Sequence, residues 1–92
     1  MELNYTFSKR DSNNRSTLII NGTKVGRVHF RENDAWLYPY AECRFKNQDE
    51  LDKLGITVVN DPNNDSYPVK VYIDACEEEK IARVLSKAIR FL

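Results

Sequence analysis

Few residues of this sequence are of the types that carry out covalent or metal chemistry. Besides its acidic side chains, the chain offers His29, Cys43 and Cys76. Structural zinc takes four ligands, mostly cysteine and histidine, and the sequence contains no Cys-x-x-Cys or His-x-x-x-His pair. The acids Asp61 and Asp65 lie four positions apart but lack the residue order of a calcium-binding loop. We therefore predict that the protein binds no metal and no cofactor.

The two cysteines are the candidate nucleophiles. Cys43 alternates with Phe45 along a predicted strand, and a cysteine at such a position usually behaves as a small buried hydrophobe. Cys76 lies near the predicted start of the last helix, where a helix N-terminus favours a thiolate. Three consecutive glutamates from Glu77 onward oppose that charge. We therefore predict that the protein is not an enzyme, and a small cysteine-dependent enzyme is the second alternative.

Three large aromatic residues alternate along one predicted strand, at Trp36, Tyr38 and Tyr40. The odd positions between Leu37 and Phe45 form an apolar face of the same strand, and successive side chains of a strand point to opposite faces. Burying the aromatic side as well would bury the charges of Glu42 and Arg44. We therefore predict that the aromatic row points away from the core. The alternative is that this row is the core, because Trp and Tyr supply much buried area.

An aromatic row on a sheet suits two kinds of partner. Tyr and Trp are enriched in the hot spots of protein interfaces, so the leading hypothesis is a non-enzymatic protein-binding domain. Its predicted site residues are Trp36, Tyr38, Tyr40, Arg27 and Arg44. The alternative is a single-stranded nucleic-acid-binding module that stacks bases on the same rings, with His29 beside them. Size alone suggests a small inhibitor or adaptor of the kind that phages and mobile elements encode, acting on a larger protein or nucleoprotein.

Charge is balanced overall but uneven along the chain. Fourteen basic and fourteen acidic residues give a net charge of zero, which weakens generic attraction to nucleic acid. Residues 1–46 carry eight basic and five acidic residues, residues 47–79 carry two and nine, and residues 80–92 carry four and none. The acidic segment makes Asp61 and Asp65 a possible docking surface for a basic partner.

The strands that must position these residues follow from hydrophobic periodicity. Alternating or β-branched residues predict strands at 2–8, 16–20, 23–30, 35–45, 56–59 and 67–73. Asn21 and Gly22 predict a type I′ hairpin turn. Pro39 cannot donate to a ladder, so the fourth strand is predicted to be an edge or to break there. A bulge at Gly26 would place three apolar residues on one face, namely Val25, Val28 and Phe30.

Two helices complete the prediction. Asn47 and Asp74 are the predicted N-caps, each with a glutamate three residues on, as in a capping box. The last helix carries an apolar stripe of Ile81, Val84, Leu85, Ala88, Ile89 and Leu92. We predict one α+β domain over residues 1–92. It is an antiparallel β-meander sheet with a short helix and a C-terminal helix packed on one face, a two-layer sandwich.

The cellular setting follows from two absences in the sequence. No apolar run follows Met1, as a signal peptide would require, and no stretch approaches the ~20 apolar residues of a membrane span. We therefore expect a cytoplasmic protein without a membrane partner, in which thiols stay reduced.

Overall fold

A computed structural model describes residues 3–40, 44–61, 63 and 68–90. Within these residues, six strands form one antiparallel sheet and two helices accompany it, which confirms the predicted α+β class. The strands are β1 (Tyr5–Phe7), β2 (Arg15–Ile20), β3 (Thr23–Phe30), β4 (Ala35–Pro39), β5 (Ile56–Asn60) and β6 (Val69–Ile73). The helices are α1 (Gln48–Lys53) and α2 (Glu78–Ala88).

The sheet order departs from a plain meander after the fourth strand. It runs β1-β2-β3-β4-β6-β5, so β4 pairs with β3 on one side and with β6 on the other. Of the two predicted outcomes, an edge position or a break at Pro39, the structure has the break, because β4 has neighbours on both sides and ends at Pro39. Pairing with β6 covers only Ala35 to Leu37. Pro39 lies beyond that stretch, so its missing N–H costs the β4–β6 ladder no hydrogen bond.

The β2–β3 hairpin has the predicted turn and the predicted bulge. Asn21 and Gly22 have φ of 51° and 81°, the two positive values that a type I′ turn requires. Leu18 pairs with Gly26 and Ile19 with Lys24, which leaves one extra residue on β3 between those pairs. The extra residue is Val25, which is buried in the core together with Val28 and Phe30. The predicted apolar set is therefore confirmed.

Gly26 lies where the bulge brings β3 against the backbone of β4. A Cβ atom there would collide with the carbonyl oxygen of Tyr38 and would lie 2.8 Å from Cα of Pro39. We expect Gly26→Ala to lower the free energy of unfolding by about 1–3 kcal/mol, because a backbone neighbour cannot swing away. Urea unfolding followed by circular dichroism measures this loss.

Gly22→Ala is the matched control for that substitution. It also puts a Cβ at positive φ, but nothing lies within 4 Å of the added atom. Its cost should therefore be limited to the left-handed backbone conformation, about 1–2 kcal/mol. If Gly26→Ala costs no more than Gly22→Ala, the close approach of β3 and β4 does not govern this position.

The two helices begin differently from each other. The Asn47 side chain accepts a hydrogen bond from the Glu50 amide at 3.0 Å, as predicted for α1. For α2 the predicted Asp74 cap is wrong, because the helix begins at Glu78 and its cap residue Glu77 makes no side-chain capping bond. The amide of Asp74 instead donates to the Gly55 carbonyl at 3.1 Å, just beyond the end of the β5–β6 pair.

The predicted fourth strand over residues 35–45 divides into two parts. The ladder stops at Pro39, and Ala41 to Cys43 lie outside the described residues. Phe45 forms an isolated antiparallel bridge with Ile89. The Lys46 amide donates to the Ala88 carbonyl at 2.9 Å beside it. Phe45, the described end of the predicted strand, therefore pairs beside the end of α2.

One hydrophobic cluster joins alternate residues of the strands to the buried side of α2. Of the predicted stripe, Ile81, Leu85, Ala88 and Ile89 are buried. Val84 is only partly buried, because the helix turns Ala82 into the core in its place, and Leu92 lies outside the described residues. Within the described chain, neither helix has the length and apolar content needed to cross a membrane.

Candidate binding face of the sheet

The side chains that alternate with the buried residues form a second face of the sheet. Directly opposed residues of antiparallel strands share a face, and the register aligns Arg15 with His29, His29 with Trp36, and Trp36 with Tyr72. A parallel row places Thr17 opposite Arg27 and Arg27 opposite Tyr38. We use the name cationic–aromatic face for seven residues on this side of the sheet: Arg15, Arg27, His29, Trp36, Tyr38, Lys70 and Tyr72.

The structure places Trp36 and Tyr38 on the side expected from the strand alternation. Leu37 between them is fully buried, whereas both aromatic side chains are half-buried. The opposite assignment, with the aromatic side as the core, does not hold for these residues. Large rings at this depth offer apolar area while their polar atoms can still reach water.

Ring and cation contacts hold the centre of the face together. Trp36 and Tyr72 meet edge to face, with ring centroids 5.3 Å apart. The Lys70 Nζ lies 4.7 Å from the Trp36 ring centroid, and the Arg15 guanidinium carbon lies 5.7 Å from that of Tyr38. Cations over ring faces are attracted by the ring quadrupole, by about 0.5–1 kcal/mol when exposed. The two rings are therefore held in defined positions by neighbours from other strands.

Asp11 organises the loop that delivers Arg15 to this face. Its carboxylate accepts hydrogen bonds from the amides of Arg15 and Asn13, at 3.0 and 2.8 Å. These bonds, the one from Arg15 above all, together with the nearby charge of Arg27, hold the pKa of Asp11 below its ordinary value. Asp11 also forms an ion pair of 2.8 Å with Arg27, but both side chains are well exposed, 38% and 44%, so the pair contributes little stability.

Tyr72 is tied to an acid at the rim of the face. Its hydroxyl donates to Oδ2 of Asp34 at 3.2 Å. Burial, followed by this hydrogen bond, raises the pKa of Tyr72 above its ordinary value, so the phenol stays neutral. Asp34 also forms an ion pair with Arg31, whose Nε lies 3.2 Å from Oδ1. Oδ2 therefore accepts a hydrogen bond, whereas buried Oδ1 has a neighbouring cation but no hydrogen-bond donor among the described residues.

Arg15 carries an unsatisfied donor. Its Nε is buried and has no hydrogen-bond partner among the described residues. A buried polar group without a partner costs about 1–3 kcal/mol. Arg15 therefore has bonding capacity that the described part of the chain leaves unused.

The structure gathers only part of the predicted site. Arg27, Trp36 and Tyr38 lie together, and exposed Tyr40 follows β4, with its amide donating to the Val25 carbonyl at 3.0 Å. Arg44 is the exception. It lies on the segment beside the end of α2, where its carbonyl accepts from the Arg90 amide at 2.7 Å. Its predicted place in the aromatic row is wrong, because β4 ends at Pro39 and does not include Arg44.

Sequence reasoning missed Arg15, Lys70 and Tyr72 as members of the face. Lys70 and Tyr72 could have been found, since they alternate with the apolar residues Val69, Val71 and Ile73 along the predicted strand 67–73. Nothing local shows that β6 lies beside β4. Arg15 stands just before the predicted start of β2, and only the register with His29 places it on the face.

The remaining predicted site residues do not form a second site within the described part of the chain. Asp61 is half-buried in a turn, where its amide donates to the Pro68 carbonyl at 2.7 Å and its carboxylate accepts from the Asn63 amide. Asp65 and Cys43 lie outside the described residues, and Cys76 is a half-buried free thiol. In the described ranges, no three His, Cys, Asp or Glu side chains are grouped so that they could hold a metal ion.

Comparison with known proteins adds no relative. No protein-family model, curated protein or solved structure matches this chain. The functional argument therefore rests on the geometry of the face itself.

Proposed function

We propose that this protein is a non-enzymatic protein-binding domain that engages its partner through the cationic–aromatic face. The observation that carries the proposal is the joint placement of Trp36, Tyr38 and Tyr72 with two arginines on one half-exposed side of the sheet. Trp, Tyr and Arg are the residue types that dominate interface hot spots.

The fixed geometry of the rings supports this role. Trp36 is held by Tyr72 at its edge and by Lys70 over its face. Side chains that are already positioned lose little rotamer freedom on association, and this loss is one of the main costs of binding. Binding through this face should therefore cost little side-chain entropy for the area that it buries.

Single-stranded nucleic acid is the alternative partner, because the same face combines rings and cations. Base stacking needs an open ring face, and in this structure Lys70 covers one face of Trp36 while Arg15 lies over Tyr38. The zero net charge also removes the long-range attraction that nucleic-acid binders use. Both observations favour a protein partner.

The setting and role complete the proposal. A cytoplasmic location is supported by the free thiol of Cys76, since such thiols persist in reducing compartments. The role of a small inhibitor or adaptor, of the type encoded by phages and mobile elements, is supported by the length of 92 residues alone.

Site-specific photo-crosslinking in the cells that make this protein tests the proposal. The photoreactive residue p-benzoylphenylalanine replaces Thr17, which lies beside Arg27 on the face, or Lys87, which is exposed on α2. We expect a discrete protein adduct from position 17 that survives nuclease treatment, and none of that mass from position 87. A nuclease-sensitive adduct would favour the nucleic-acid alternative. No adduct at position 17 would reject the face as the binding site.

A further inference from the structure

The charge on the cationic–aromatic face is unbalanced in one direction. Arg15, Arg27 and Lys70 are cationic, whereas Asp11 forms an ion pair with Arg27, Asp34 forms one with Arg31, and the charge of Asp74 acts on Tyr72. Within the described residues, Arg15 and Lys70 contact aromatic rings and form no ion pair. A partner with carboxylates would therefore meet two cations whose charge is uncompensated.

We propose, building on the function inferred above, that the face binds an acidic segment of a protein in extended conformation. Arg15 supplies the most specific part of this recognition. Its guanidinium carbon lies 5.7 Å from the Tyr38 ring centroid, and no ion pair of this group occurs among the described residues. A carboxylate can accept from two nitrogens of one guanidinium at the same time, so binding pairs a charge that the free protein leaves without a counter-charge.

The positions of the two cationic groups limit the spacing of the acids. The Arg15 guanidinium lies over the Tyr38 ring and the Lys70 Nζ over the Trp36 ring, and both rings belong to β4. Residues i, i+2 and i+4 of an extended segment face the same way. The recognised segment therefore carries two acidic side chains on one side, within four residues of each other.

Synthetic peptides test this inference by fluorescence anisotropy at low salt. The probe is a labelled peptide containing Glu-Ser-Phe-Ser-Glu, and its control has Gln in place of both Glu. We expect the Glu peptide to bind at least about tenfold more tightly, because hydrogen bonds to charged groups are each worth roughly that factor or more. Added salt should reduce this difference, since the exposed parts of the charge pairs are screened.

Matched protein variants locate the effect. Arg15→Gln and Lys70→Gln should each weaken binding of the Glu peptide about tenfold, whereas Lys87→Gln removes the same charge from exposed α2 and should change nothing. Lys70→Gln decides the matter if Arg15→Gln proves unfolded by circular dichroism. Equal affinity for the Glu and Gln peptides, or full binding by Lys70→Gln, would overturn the acidic assignment.

Octa-deoxythymidine is the third probe, because phosphates are anions too. Tighter binding of this oligonucleotide than of the Glu peptide would also overturn the acidic-protein assignment. These failures are distinguishable from failure of the proposed function. A nuclease-resistant protein adduct at position 17 would then still support protein binding by the face, with a partner of different chemistry.

Discussion

Leu85→Ala should lower the free energy of unfolding by about 2–5 kcal/mol, the range for removing a large side chain from a core. Leu85 is fully buried on α2 and belongs to the cluster that includes the strand residues. The lost methyl groups forfeit their transfer free energy, and the cavity left behind adds a further penalty. Urea unfolding monitored by circular dichroism measures the change.

Val84→Ala provides the comparison within the same helix. Val84 is one position away but only partly buried, so its truncation should cost clearly less than that of Leu85. An equal loss for the two variants, or an unchanged midpoint for Leu85→Ala, would show that α2 does not bury the side assigned to it.

Trp36→Ala and Tyr38→Ala should each weaken partner binding by about 2 kcal/mol or more, roughly thirtyfold in affinity, while the domain stays folded. Truncation of either ring removes contact area at the centre of the face and leaves the fully buried Leu37 untouched. The yield of the protein adduct at position 17 gives the first measurement. Titration calorimetry with the partner identified from that adduct gives the affinity.

Tyr5→Ala is the matched aromatic control. Tyr5 opposes Ile20, whose side chain is fully buried, so its ring lies on the core side of the sheet. This substitution should reduce stability and leave binding unchanged in the folded protein. If Trp36→Ala and Tyr38→Ala both unfold the domain, the rings serve as core. If both bind normally, the functional surface lies elsewhere.

The local features of the fold were predictable because their causes lie within a few residues. Asn21 and Gly22 form a type I′ turn since both tolerate positive φ. Asn47 caps α1 through a bond to an amide three positions away. The alternation around Leu37 determined which way the Trp36 side chain points, because burying one residue of a strand turns its neighbours to the opposite face.

The predictions that proved wrong have a different cause. Asp74 has the sequence of a helix cap, yet its amide pairs with Gly55 from another element. Phe45 has the periodicity of a fourth strand, yet it pairs with Ile89. In each case the backbone of the residue is paired with an element that is distant or unexpected from the local sequence pattern.

For this protein, the sequence by itself determined the α+β class, the hairpin with its bulge, the first helix cap and the side of β4 that carries the aromatic rings. Only the tertiary structure decided that β6 lies between β4 and β5, and so brought Lys70 and Tyr72 to Trp36. The physical reason is the range of the interactions. Turns, caps and alternation depend on neighbours along the chain, whereas strand order depends on which distant surfaces bury one another best.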